Sequence, residues 1–256
     1  MKRILCLLLT LILLCSTFAG CVQDMKEPEE EPSTYLKPLD LMFEVLNRKD
    51  VPNYWKNISI MLNGFVEQDI CDFYDILENS SDYQVWNSER NQKWQTNVSA
   101  NQEQYGNDYV FSYRLDDQYA LDSRQISMLQ ERYINERVQV WNRILTELRS
   151  ATNETWQEIK YVSELSPEDR QQLLQTVERI YNAYLSAQIT AGYQLTYTHI
   201  TNGSKLETPI EKQDSMTVCL VDGNWVNIDR LYSEEGDTEL TYATGLFFEL
   251  LMSAGQ

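Results

Sequence analysis

Residues 215–228 read Ser-Met-Thr-Val-Cys-Leu-Val-Asp-Gly-Asn-Trp-Val-Asn-Ile, and this stretch decides the fold. Ser215 to Val221 carries β-branched and apolar residues, Trp225 to Ile228 does so again, and Asp222-Gly223-Asn224 lies between them. Asp-Gly supplies the positive φ angles that a tight hairpin turn needs, so the two runs are expected to pair antiparallel. The acidic spacing and closing Glu of an EF-hand are missing, so the turn is not a calcium loop.

Working outward, Tyr193 to Ile200 alternates Tyr193, Leu195, Tyr197 and His199 against Gln194, Thr196 and Thr198, and Asn202-Gly203 is a turn signal. His199 is the single histidine of the chain, which removes mechanisms that need two. Its place on that face reads as a packed strand residue. Tyr109 to Leu115 is another strand, with Tyr109, Phe111, Tyr113 and Leu115 on one side. Asp116-Asp117 follows as a turn or cap; two adjacent carboxylates can raise one another's pKa, but strand neighbours point to opposite faces.

Helical periods occupy the rest. Pro38 starts a helix bearing Leu39, Met42, Phe43 and Leu46, and Pro52 starts one with Tyr54, Trp55, Ile58, Met61 and Leu62, ending at Asn63-Gly64. Phe65 to Leu77 places Phe65, Ile70, Phe73, Tyr74 and Leu77 on one flank, with Glu67, Asp69, Asp72 and Asp75 on a solvated face rather than a metal set. Asp122 caps a long helix toward Leu165, with a weak stretch from Arg149 to Thr155 as the place for a bend or break; Ser166-Pro167 starts another through Leu173, Leu174, Val177, Ile180, Tyr181, Tyr184 and Leu185. Ala243 to Met252 reads as a last, short apolar helix. Between Glu78 and Asp108 the chain is polar and amide-rich, and reads as loops with one short helix at most.

The fold class expected is therefore α+β: N-terminal helices packed on an antiparallel sheet of about four strands, curved by the implication of the family resemblance given below, with a long helical hairpin inserted at about 122–186 between strand 1 and strand 2. Residues 38–256 are read as a single α+β domain.

Residues 1–20 read as an export signal: Lys2 and Arg3, then an apolar run from Ile4 to Leu14 broken only by Thr10, too short for a permanent span. Phe18-Ala19-Gly20-Cys21 resembles the lipobox of bacterial lipoproteins, with Phe18 replacing the usual aliphatic residue. The resemblance implies cleavage after Gly20, a diacylglyceryl thioether on Cys21, and acyl chains of the palmitate type that hold the protein on the outer face of the cytoplasmic membrane. Residues 21–37, with Pro28 and Pro32 around a Glu run, read as an acidic tether. Removing Lys2 and Arg3 leaves 19 basic and 39 acidic residues, a formal charge of 19 − 39 = −20, which disfavours nucleic acid and anionic lipid as partners.

Ala191-Gly-Tyr-Gln-Leu-Thr-Tyr197, Met216 to Val226 with Asp222, Gly223 and Trp225, and the helices before Tyr109 resemble Firmicutes lipoproteins with a nuclear-transport-factor-2-like, cystatin-like domain. Asn224 departs from their usual Lys, and the section from Asp122 to Ser186 is longer than a strand connection requires. The resemblance implies a sheet wrapped around helices with a cone-shaped cavity, which holds small molecules in some relatives and does catalysis in a few. No catalytic residue carries over.

Cys71 and Cys219 are left after the signal and the lipidated Cys21; they can pair as a disulfide outside the cytoplasm or remain two buried thiols. Trp86, Trp94, Trp141 and Trp156 are candidate contacts for a ligand or partner, such as a sugar ring or a peptide, or else they cover the core. The five Asn-x-Ser/Thr triplets, at Asn57, Asn79, Asn97, Asn153 and Asn202, matter only in a eukaryotic secretory route. No cofactor or metal motif is present. The expected function is that of a non-enzymatic, lipid-anchored module binding an envelope protein or small ligand; the alternatives are an isomerase- or hydrolase-type enzyme using pocket carboxylates and tyrosines, or a structural part of an envelope assembly.

Overall fold

The computed structural model describes residues 35–49, 56, 64–159 and 161–228. The expected signal, Cys21 with most of the expected tether, the expected helix from Pro52 except Lys56, and the expected helix Ala243 to Met252 lie outside them. Helix α1 spans Lys37–Asn47, α2 Glu67–Leu77 after a 3-10 turn at Gly64–Val66, and α3 Ser81–Tyr105. Strand β1, Val110–Ala120, follows; then α4 Ser123–Leu129, a π turn Gln130–Ile134, α5 Asn135–Ser150, a 3-10 turn Thr155–Glu158 and α6 Pro167–Ser186. Strands β2 Ile189–Asn202, β3 Ile210–Val221 and β4 Asn224–Asn227 close the described chain. The architecture is α+β, with four strands in the order β1-β2-β3-β4, every neighbour antiparallel.

Val221 pairs with Asn224, so Asp222 and Gly223 alone make the β3–β4 turn. Their φ angles of 46° and 82° are both positive, as a type I′ turn demands. The strand begins earlier than Ser215, at Ile210, because β2 extends to Asn202 and gives it a partner as far as Thr201.

Each face of the sheet meets a different set of side chains. Leu39 and Phe43 of α1 pack with Leu195, Tyr197, Met216, Val218 and Trp225. Tyr35 joins them at 9% exposure, so the packed body starts before Pro38. The larger cluster gathers Ile70, Phe73 and Leu77 of α2, Trp141, Ile144 and Leu148 of α5, and Leu173, Val177, Ile180 and Tyr184 of α6 on Ile189, Cys219, Val221 and Val226. The four α6 residues recur at three and four positions, the stripe that their spacing prescribes.

Three expectations need correction. Residues 81–105 form one helix of 25 residues rather than loops. Tyr83, Trp86, Trp94 and Val98 fall on one stripe, and all are buried. The stripe was hidden because the turn between Trp86 and Trp94 carries Arg90 and Asn91, with Arg90 lying 5.5 Å over the Trp86 ring. Second, Asp116-Asp117 is inside β1, where the register with β2 shifts between Leu115 and Asp117; this is a bulge and not a turn. Third, the helix from Asp122 does not run unbroken to Leu165; it ends inside the weak stretch from Arg149 to Thr155, where the sequence allowed a break. Asp122 caps it, accepting from the Gln125 amide at 2.8 Å in a full capping box, but extended backbone at Ala151 ends α5, and Trp156 reaches the core from the 3-10 turn, Ile159 and Val162 from the chain after it.

Candidate functional site

Two polar stripes face each other across α2 and α6. On α2 they are Asp69, Asp72 and Asp75, three residues apart, followed by Asn79; on α6, Gln172, Gln175, Thr176 and Arg179 repeat at the same helical spacing. The apolar sides of both helices are held in the core by Phe73, Ile76, Leu173 and Ile180, which leaves the polar sides lining an open groove. Its volume is ≈ 400 Å³, bounded by Asp72, Asp75, Ile76, Asn79, Gln172, Gln175, Thr176 and Arg179.

Each charge in it has an opposite partner, with Arg179 shared by two of the three carboxylates. Arg179 donates from Nε to Asp69 at 2.7 Å, and from Nη2 to Asp72 at 3.0 Å and to the Thr176 hydroxyl at 3.1 Å. Lys56 bonds Asp75, and Asn79 donates to Asp169 at 3.3 Å. Gln172 and Gln175 project exposed amides into the remaining space. Such a lining leaves no charge without a partner, carries one carboxylate in excess, and presents amide donors and acceptors that suit a peptide backbone or hydroxyl groups. No three His, Cys, Asp or Glu side chains among the described residues are arranged to hold a metal ion.

The four tryptophans are not in this groove. Trp86, Trp94, Trp141 and Trp156 are 7, 9, 1 and 7% exposed, so none offers a ring face to a ligand. Trp141 packs edge-on to Phe73 at 5.9 Å, and Trp156 lies under the Arg170 guanidinium at 5.2 Å. No disulfide joins Cys71 and Cys219: Cys71 is half-buried on α2 and Cys219 is buried in β3. Burial pushes the Cys71 thiol up, with Glu67, Asp75 and Asp72 adding to the effect and Lys56 opposing it, so its thiolate is disfavoured.

His199 sits between Phe43 and Phe111, at 5.1 and 5.2 Å and edge-on to both. Burial lowers its pKa, Lys212 adding to the effect and Asp214 opposing it. Asp116 is held below the usual carboxylate range, first by the Thr198 hydroxyl donating to it at 2.6 Å and then by Arg114 at 3.2 Å, the opposite of what a general base requires. Tyr113 donates to Asp40 at 2.5 Å, but Asp40 is exposed and this pair closes no pocket. Between α1 and the sheet, Tyr35, Tyr193 and Trp225 pack together with ring centroids 4.7 to 6.1 Å apart.

Gln172, Gln175, Thr176 and Arg179 were not singled out from the sequence. Their own spacing opposite the Asp69-Asp72-Asp75 stripe is the signal that could have found them. Comparison with family models, with curated proteins and with solved structures gave no match to this chain.

Proposed function

We propose that the protein is a non-enzymatic binding module, held outside the cytoplasmic membrane by lipid on Cys21, that grips an envelope protein or a small polar ligand in the groove between α2 and α6. The observation that carries this reading is the groove itself, with its charges paired internally and the amides of Gln172 and Gln175 left facing outward. Paired charges organise the walls, and exposed amides are available for recognition. The lipobox resemblance supports the anchor. No helix among the described residues is long and apolar enough to cross a membrane.

We read α4 to α6 as a helical hairpin inserted between β1 and β2 of a cystatin-like sheet. Tyr133, just before α5, bonds Tyr184 near the end of α6, while Arg149 near the end of α5 meets Glu178 at 2.6 Å. Those contacts support an antiparallel pair.

Crosslinking of intact membranes followed by pull-down of the full chain tests the proposal. A discrete product that is lost in the double variant Gln172→Ala, Gln175→Ala is expected. Recovery of nothing specific, or of the same product from the variant, contradicts it.

A further inference from the structure

Arg137, in the first turn of α5, is 2% exposed. Its guanidinium lies 5.7 Å from the centre of the Tyr133 ring, and neither Nε nor Nη2 has a hydrogen-bond partner. Other arginines keep a partner. Arg114, Arg149 and Arg179 each meet a carboxylate, and Arg170, whose Nε is likewise unpartnered, still donates from Nη2 to the Ser163 carbonyl at 2.8 Å. Among the described residues no carboxylate pairs with Arg137.

A buried guanidinium without a counter-charge bears a large desolvation penalty. A cation–π contact returns only part of it. The two unsatisfied donors share one edge of the planar group, the edge on which a carboxylate is gripped by two parallel N–H···O bonds. The surroundings are built rather than accidental. Tyr133 lies in the π turn Gln130–Ile134, an insertion type that concentrates at functional sites. Tyr133 and Tyr184 are both fully buried, with the Tyr184 hydroxyl donating to Tyr133. Gln130 in the same turn ties α6 to β2, donating to the Ala187 carbonyl at 2.9 Å and accepting from the Ile189 amide at 2.7 Å.

We propose that the Nε–Nη2 edge of Arg137 is a binding site for the carboxylate of a small molecule, entering beside the π turn. This site shares no lining residue with the groove between α2 and α6 and stands or falls independently of it.

Thermal unfolding of the full chain in detergent, titrated with sodium acetate against sodium chloride at constant ionic strength, tests the assignment. The wild type is expected to show a saturable rise in Tm with acetate, since a ligand of the native state alone stabilises it by mass action. Arg137→Met removes the edge and should lose the rise. Arg137→Lys keeps the charge but not the paired donors, and should lose it as well, which covers the case that the methionine variant fails to fold. An acetate response of equal size in wild type and Arg137→Lys overturns the proposal. So does a wild type that does not respond, as when a protein carboxylate already fills the edge.

Discussion

Gly203 occupies a position where a β-carbon would stand 2.2 Å from the Tyr105 carbonyl oxygen, so its side chain is excluded by backbone and not by a movable neighbour. Gly203→Ala is expected to lower stability by about 1–3 kcal/mol in urea unfolding. Gly223 is the contrast: nothing lies within 4 Å of its missing β-carbon, and only its positive φ opposes alanine, at a cost of ~1 kcal/mol. Asn202-Gly203 and Asp222-Gly223 look alike as turn signals in the sequence, yet one is fixed by crowding and the other by dihedral angle. His199 was legible as a packed strand residue, and its effect on pH dependence follows. Burial keeps the folded-state pKa below 6.5, so below that pH the unfolded chain binds the proton more readily than the folded one. Its contribution to stability is therefore complete above pH 6.5 and is lost as pH falls toward the folded-state value. Chemical unfolding at pH 5 and pH 7.5 should show a smaller difference for His199→Phe than for wild type.

Elements were legible where one signal dominated. The capped starts at Asp122 and Ser166, the alternation of β2 and the Asp-Gly turn all appear where the residues placed them. Removing the Asp122 cap by Asp122→Ala should cost ~1 kcal/mol, read as a lower urea midpoint. Helix α3 was not legible, because Asn, Gln and Ser dominate it and Arg90 interrupts its stripe; tertiary burial of Tyr83, Trp86, Trp94 and Val98 overrides weak propensity. If that burial is what holds α3, Trp94→Ala should destabilise by about 3–5 kcal/mol. A change under ~1 kcal/mol, the ordinary range for a surface site, would return this segment to a peripheral role.

At the scale of the molecule, the α+β class and the antiparallel sheet could be read from hairpin signals, since these depend on local turn chemistry. The groove could not. It arises only when α2 and α6, separated by more than ninety residues from Asp72 to Arg179, are laid side by side by their apolar stripes. Arg179 is exposed enough that its two ion pairs add little to stability, at most ~1 kcal/mol. Arg179→Gln should therefore fold normally while loosening the walls that position Gln175. The most direct test of binding through this groove places a photoreactive side chain at Gln175 and, separately, at Gln213 on the exposed part of β3, in the full chain expressed in intact cells. A discrete crosslinked product from position 175, weakened by Arg179→Gln and absent from position 213, is the result expected. Equal products from both positions, or none from 175, would contradict it.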